Sequence, residues 1–138
     1  MTPQETTERF VAAINAHDID RLIALMTLDH RFIDSLGAVV EGRDAVREGW
    51  KFYFGMVPDY GLEIRRCFMS EHGATEVMLV GMASGSYQSN CVMLPSFSWA
   101  TPVALRAVVR NEQIAEWQVY ADNEPIREQM RAVSVLKR

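Results

Sequence analysis

The sequence predicts a single α+β domain over residues 1–138, with helices in its first part and a run of antiparallel strands after them. Three observations carry this. Apolar residues recur at helical spacing up to Val57, alternate at strand spacing from Tyr60 to Ala121, and return to a helical repeat after Asn123. A chain of 138 residues suits one core; a domain of that size buries roughly two-thirds of the surface its unfolded chain exposes. No internal repeat, low-complexity tract or interdomain linker divides it.

From Thr6 to Ala16, Phe10, Val11 and Ile14 fall on one side of a helix that ends at Asn15-Ala16-His17. Asp18 is placed to cap a second helix with Asp20 in its first turn, and Ile19, Leu22, Ile23 and Met26 continue its apolar stripe. So short a link predicts an antiparallel helical hairpin. Arg31 to Gly37 reads as a short strand running into a turn, where Gly37 can take a positive φ, and Val39 and Val40 either continue that strand or pair with it. Val46, Trp50, Phe54 and Val57 form the buried side of a third helix, which Pro58 stops.

The strand half begins at Tyr60. Leu62, Ile64 and Phe68 are expected to share its inward face, and Glu71-His72-Gly73-Ala74 to form the following turn. Val77 to Ala83 is apolar on both faces, as for a strand covered on both sides. Beyond an irregular segment from Gln88 to Ser96, Trp99, Thr101, Val103, Leu105, Ala107 and Val109 share one face of a long strand. A turn at Asn111-Glu112 leads to a last strand with Trp117, Val119 and Ala121 opposite Glu116, Gln118 and Tyr120. Asn123 is placed to cap a final helix that has Pro125 in its first turn and turns Ile126, Met130 and Val133 inward.

Composition narrows the function. Fourteen Lys and Arg are scattered among 18 Asp and Glu, for a net charge of −4, so there is no basic stripe for nucleic acid. No run approaches the apolar length of a membrane span. The N-terminal residues show no basic start followed by an apolar run, so a secretory signal is not expected. Cys67 and Cys91, the only cysteines, match neither a disulfide framework nor a metal-ligand spacing. A reducing cytoplasm is the expected location. His17, His30 and His72 are read at turns or element ends without ligand-type neighbours, so neither a metal nor another cofactor is expected.

The segment from Glu8 to Asp20, together with Leu25-Met26 and Phe32-Ile33-Asp34-Ser35-Leu36-Gly37, resembles the opening of ketosteroid isomerases and SnoaL-like polyketide cyclases of the NTF2-like superfamily. Gly42 to Arg47, Trp99-Ala100-Thr101-Pro102 and Trp117 to Asn123 extend the resemblance over nearly the whole chain. It implies the cone-shaped, cystatin-like α+β fold: a curved antiparallel sheet enclosed by three N-terminal helices and a C-terminal one, with an apolar pocket between; Gln88 to Ser96, the longest irregular segment, is the candidate for its rim or lid. It also implies a homodimer, for which Val108 and Tyr120 on the outer sheet face are suited.

The resemblance places the isomerases' catalytic base at Asp34, with Ser35 where the family commonly has proline. The tyrosine that donates a hydrogen bond to the developing enolate falls on Phe10, and the protonated second carboxyl falls near Leu105; neither side chain can donate. Loss of one such donor commonly costs about two to three orders of magnitude in rate. The superfamily's epoxide hydrolases place an acid where this chain has Val119 and an Arg-x-Asp pair in a middle strand where it has none, whereas the cyclases chiefly need one acid or base in a greasy pocket. Fold alone does not choose among these chemistries.

Asp34 is therefore the candidate catalytic residue. A carboxyl facing an apolar cavity is desolvated, which suits it to take a proton beside a carbonyl; the alternative is an Asx-turn that occupies the same oxygens with backbone N–H groups. Phe10, Ile14, Trp50, Tyr53, Phe54, Trp99, Val103, Leu105, Trp117 and Val119 are the candidate ligand-binding residues, with Tyr53 able to offer a hydroxyl; the same residues would equally form a packed core. The function read from the sequence is a protein that binds a small apolar or aromatic molecule and catalyses a proton-transfer isomerisation, cyclisation or dehydration. The other reading is a binding or dimerisation module without catalysis.

Overall fold

A computed structural model of the chain describes residues 1–70, 75–88 and 98–136. The turn at Glu71–Ala74 and most of the segment from Gln88 to Ser96 lie outside the described residues. The elements run α1 (Pro3–Ala16), α2 (Ile19–Ala24), β1 (Met26–Ile33), β2 (Val39–Glu41), α3 (Arg43–Met56), β3 (Gly61–Met69), β4 (Glu76–Ser86), β5 (Ser98–Arg110), β6 (Gln113–Ala121) and α4 (Glu124–Leu136). The strands form one sheet in the order β2-β1-β6-β5-β4-β3.

Local chemistry sets the helical hairpin. Thr2 accepts the Glu5 N–H at the start of α1, and His17 closes it in the left-handed region at φ 53°, donating its N–H to the Ala13 and Ile14 carbonyls. Asp18 then accepts the Arg21 N–H to open α2. The stripe of α2 stops before Met26. The sheet takes that residue: Met26 pairs with Ile114, and the Ile114 N–H donates to the Leu25 carbonyl at 2.6 Å. β1 accordingly begins five residues ahead of the expected Arg31, and it runs parallel to β6, the one parallel pairing among the described strands. Val39 and Val40 do pair back onto β1, against Ile33 and Phe32.

Two strand expectations are corrected. The register of β3 against β4 shifts between Ile64 and Arg66, a β-bulge that reverses the facing of the residues after it. Leu62 is buried and Ile64 packs on the core, but beyond the bulge Cys67 turns in and Phe68 is 52% exposed. Gly81 sits opposite: a Cβ there would overlap the Glu63 carbonyl, so the strands can close at the bulge only over a glycine. In β4 itself only one face is covered. Val77, Leu79 and Ala83 are buried, whereas Met78 and Met82 are half-buried and Val80 is 40% exposed on the outer face.

α1 packs across β3 to β6 and α3 across β1 and β2, so the helices bury the concave face of the curved sheet. Asn15 ties α1 to the sheet as a strand would, donating to the Leu62 carbonyl at 3.0 Å and accepting its N–H at 2.8 Å. At the last helix, Ile126 is buried but Met130 is 39% exposed, contrary to the inward stripe expected, and the Val133 side chain lies outside the described set. Asp122, not Asn123, accepts the Glu124 N–H there.

Candidate functional site

A cavity of about 290 Å³ lies between α3 and the concave sheet face. Its aromatic wall is Phe32 from β1, Trp50 and Tyr53 from α3, Tyr60 ahead of β3, and Trp99 from β5. The i, i+3 spacing of Trp50 and Tyr53 puts both rings on one side of α3. Consecutive rings touch: Phe32 to Trp50 at 5.9 Å, Trp50 to Tyr53 at 6.5 Å, Tyr53 to Tyr60 at 5.0 Å and Tyr60 to Trp99 at 6.2 Å between centroids. Val46, Ala83, Val103 and Val119 supply aliphatic surface.

Asp34, Ser35, Thr101 and Asn123 form the polar part of the lining. Asp34 sits in the turn between β1 and β2, and its Oδ1 accepts the N–H groups of Leu36 and Ala38, both at 2.9 Å. The Asx-turn is therefore present, and it uses one carboxylate oxygen; Oδ2 has no hydrogen bond among the described residues. The Asn123 Nδ2 donates to the Ser35 Oγ at 2.7 Å, and the Thr101 hydroxyl donates to the Asp122 carbonyl at 3.1 Å.

Burial pushes the Tyr53 hydroxyl up to about 12 and that of Tyr60 higher still, the neighbouring Tyr53 adding to the second effect. Both are hydrogen-bond donors at neutral pH rather than bases. Trp50 and Trp99 each keep a buried indole N–H with no partner among the described residues.

Of the residues singled out from the sequence, Asp34, Trp50, Tyr53, Trp99, Val103 and Val119 line the cavity. The other five do not. Phe10, Ile14, Leu105 and Trp117 are buried in solid core, Phe10 with its ring 4.8 Å from that of Trp117, and Phe54 stacks on the His17 imidazole at 4.2 Å. Tyr60 and Thr101 were legible as wall residues, since each continues the inward alternation of its strand. Phe32, Ser35 and Asn123 were not, because β1 and the chain after β6 meet only through a parallel pairing between distant segments.

His30 is also displaced from its expected place at an element end. It lies inside β1, fully buried, with Nδ1–H donating to the Ile114 carbonyl at 2.7 Å, and burial holds it below its ordinary titration range. Among the described residues no group of three or more His, Cys, Asp or Glu could hold a metal ion.

Solved structures repeat this architecture. A protein with a ketosteroid isomerase-like fold from Catenulispora acidiphila, solved in complex with trimethylamine, superposes with a TM-score of 0.76 at 21% identity over 94% of this chain and 93% of its own. Candidate polyketide cyclases from Shewanella denitrificans and Xanthomonas campestris pv. campestris give 0.78 and 0.79 at 14% and 17% identity, covering 94% and 92% of this chain and 97% and 95% of theirs. At such identities the likeness is one of fold. No functionally curated protein matches the sequence.

Helices closed over a curved six-stranded sheet thus define an α+β protein of the NTF2-like, cystatin-like fold class. Within that class residues 7–117 match the SnoaL-like domain, and the chain belongs to that family.

Proposed function

We propose that the chain binds a small apolar or aromatic molecule in the cavity between α3 and the sheet and that Asp34 acts there as a general base. One observation carries the reading: among the described residues Asp34 is the only carboxyl in the lining, and its Oδ2 is left without a protein partner while Oδ1 is pinned by two backbone N–H groups. A carboxylate fixed at one oxygen has its other oxygen oriented for proton abstraction from a carbon next to a carbonyl.

The charge that would develop on the carbonyl oxygen needs donors. Phe10 and Leu105 cannot supply them and lie in the core. Tyr53 and Tyr60 line the cavity with hydroxyls that burial keeps protonated, and in this reading they take the donor role. Proton transfer of this kind serves isomerisation, cyclisation or dehydration alike.

The test starts from a ligand that co-purifies with the protein and is identified by mass spectrometry. Asp34→Asn is expected to abolish its turnover while leaving binding within a few-fold; full turnover in that variant refutes Asp34 as base. The Asx-turn favours a second reading, a binding module without catalysis in which Asp34 only shapes the turn. That reading predicts no conversion of the ligand by the wild-type protein.

We further propose a homodimer formed through the outer sheet face. Phe68, Val80 and Tyr120 are exposed there, beside a network in which Arg106 binds Glu76 at 2.6 Å and Glu116 at 2.7 Å, with Arg31 on the other Glu116 oxygen. Arg106 and Arg31 hold the Glu116 carboxyl below its usual range, so the network stays charged and can set the register of two copies. Sedimentation as a monomer at micromolar concentration counts against this. A cytoplasmic site of action belongs to the same proposal; among the described residues no helix is long and apolar enough to cross a membrane.

A further inference from the structure

We infer that the ligand carries a bulky alkylammonium group, held between the aromatic wall and the Asp34 carboxylate. The inference rests on the cavity being a ligand site and needs no catalytic step.

The wall itself is the first ground. Phe32, Trp50, Tyr53, Tyr60 and Trp99 succeed one another without a break, and the interplanar angles at the first three junctions are 80°, 89° and 85°. Successive rings at right angles give the cavity lining aromatic surface in more than one orientation. Aromatic faces attract a cation lying within about 6 Å of the ring centroid, Trp most strongly.

Charge is the second ground. Among the described residues the lining contains no Lys, Arg or His, and its one formal charge is the Asp34 carboxylate. A carboxylate or phosphate ligand would meet repulsion from it with no cationic side chain in the lining to offset it, whereas a cation meets an attraction that water screens poorly inside a cavity.

The apolar make-up of the lining is the third ground, and it selects among cations. Around the few polar groups, five rings and the side chains of Val46, Ala83, Val103 and Val119 make up most of the lining, and Asp34 Oδ1 is committed to the turn. A primary ammonium is strongly hydrated and needs several acceptors to replace its water. A trialkylated ammonium gives up little water, packs its alkyl groups on rings, and needs only the one carboxylate oxygen nearby.

The experiment compares choline with its uncharged carbon isostere, in which a tert-butyl group replaces the trimethylammonium head, by titration of tryptophan fluorescence. Trp50 and Trp99 in the wall make occupancy visible. Choline is expected to bind the wild-type protein about ten-fold more tightly than the isostere. Asp34→Asn should erase most of that preference, chiefly by weakening choline, and change the isostere's affinity by no more than a few-fold. Should that variant not fold, Trp50→Leu keeps the carboxylate and should also reduce the preference. Equal or tighter binding of the isostere to the wild-type protein overturns the inference while the ligand site stands; no response to either probe overturns both.

Discussion

The concave face of the sheet is solid at one end and hollow at the other, although the same kinds of residue build both. At the solid end Phe10 and Ile14 of α1 lie over Leu105, Ala107, Ile114 and Trp117 of the sheet, and all six are essentially inaccessible. At the hollow end Trp50, Tyr53, Tyr60 and Trp99 leave about 290 Å³ between them. Interiors normally pack to crystal-like density, and atoms that border empty space forfeit dispersion contacts. A chain that fills one end so completely has the means to fill the other; in the function proposed here, a ligand completes the packing of the hollow end.

The sharpest way to break this comparison is to enlarge a small residue at each end. Ala107 lies opposite Trp117 in the solid end, and Ala83 lines the cavity. Ala107→Leu forces extra volume into filled space and should cost about 1–3 kcal/mol. Ala83→Leu places the same atoms in open space and should change stability by less than about 1 kcal/mol while blocking any ligand. Urea midpoints of the two variants, measured together, check both claims. Equal losses would mean that the cavity is not open in solution.

Much of the fold is legible in the sequence, and the reasons are local. Asp18 announces α2, Pro58 comes just after the end of α3, and the alternation from Trp99 to Val109 is that of a half-buried strand. The features that escaped were set by partners far away in the chain. Met26 reads as helix until β6 claims it, and Phe68 reads as core until the bulge at Arg65 turns it outward.

The site divides the same way. Trp50 and Trp99 reached the wall as their periodicity implied, Tyr53 lies beside them, and Asp34 stands among them. Phe10 and Trp117 carry an identical inward signal but fill each other's space where α1 lies on the sheet. Periodicity tells which face a residue takes; it does not tell whether another element fills the room in front of it. Asn123 shows the opposite failure: it has the look of a helix cap, yet its amide is spent on Ser35 beside the cavity.

His30 sharpens the contrast from the solid end, with the smallest effect. It is fully buried near Phe10, Nδ1–H is bonded to the Ile114 carbonyl, and Nε2 has no partner among the described residues. Burial disfavours its charged form, so its pKa in the folded protein lies below the ordinary 6.5 of an unfolded chain. The unfolded state therefore binds the extra proton first as pH falls. The stability contributed by neutral His30 is fully present above about pH 6.5 and is lost progressively as pH drops through the window between the two values, with a slope of at most about 1.4 kcal/mol per pH unit. His30→Gln should lower stability at pH 8 yet flatten that part of the pH profile. A profile with an unchanged slope between pH 6.5 and 5 would place the titration elsewhere, and the solid end would then be wetter than its burial implies.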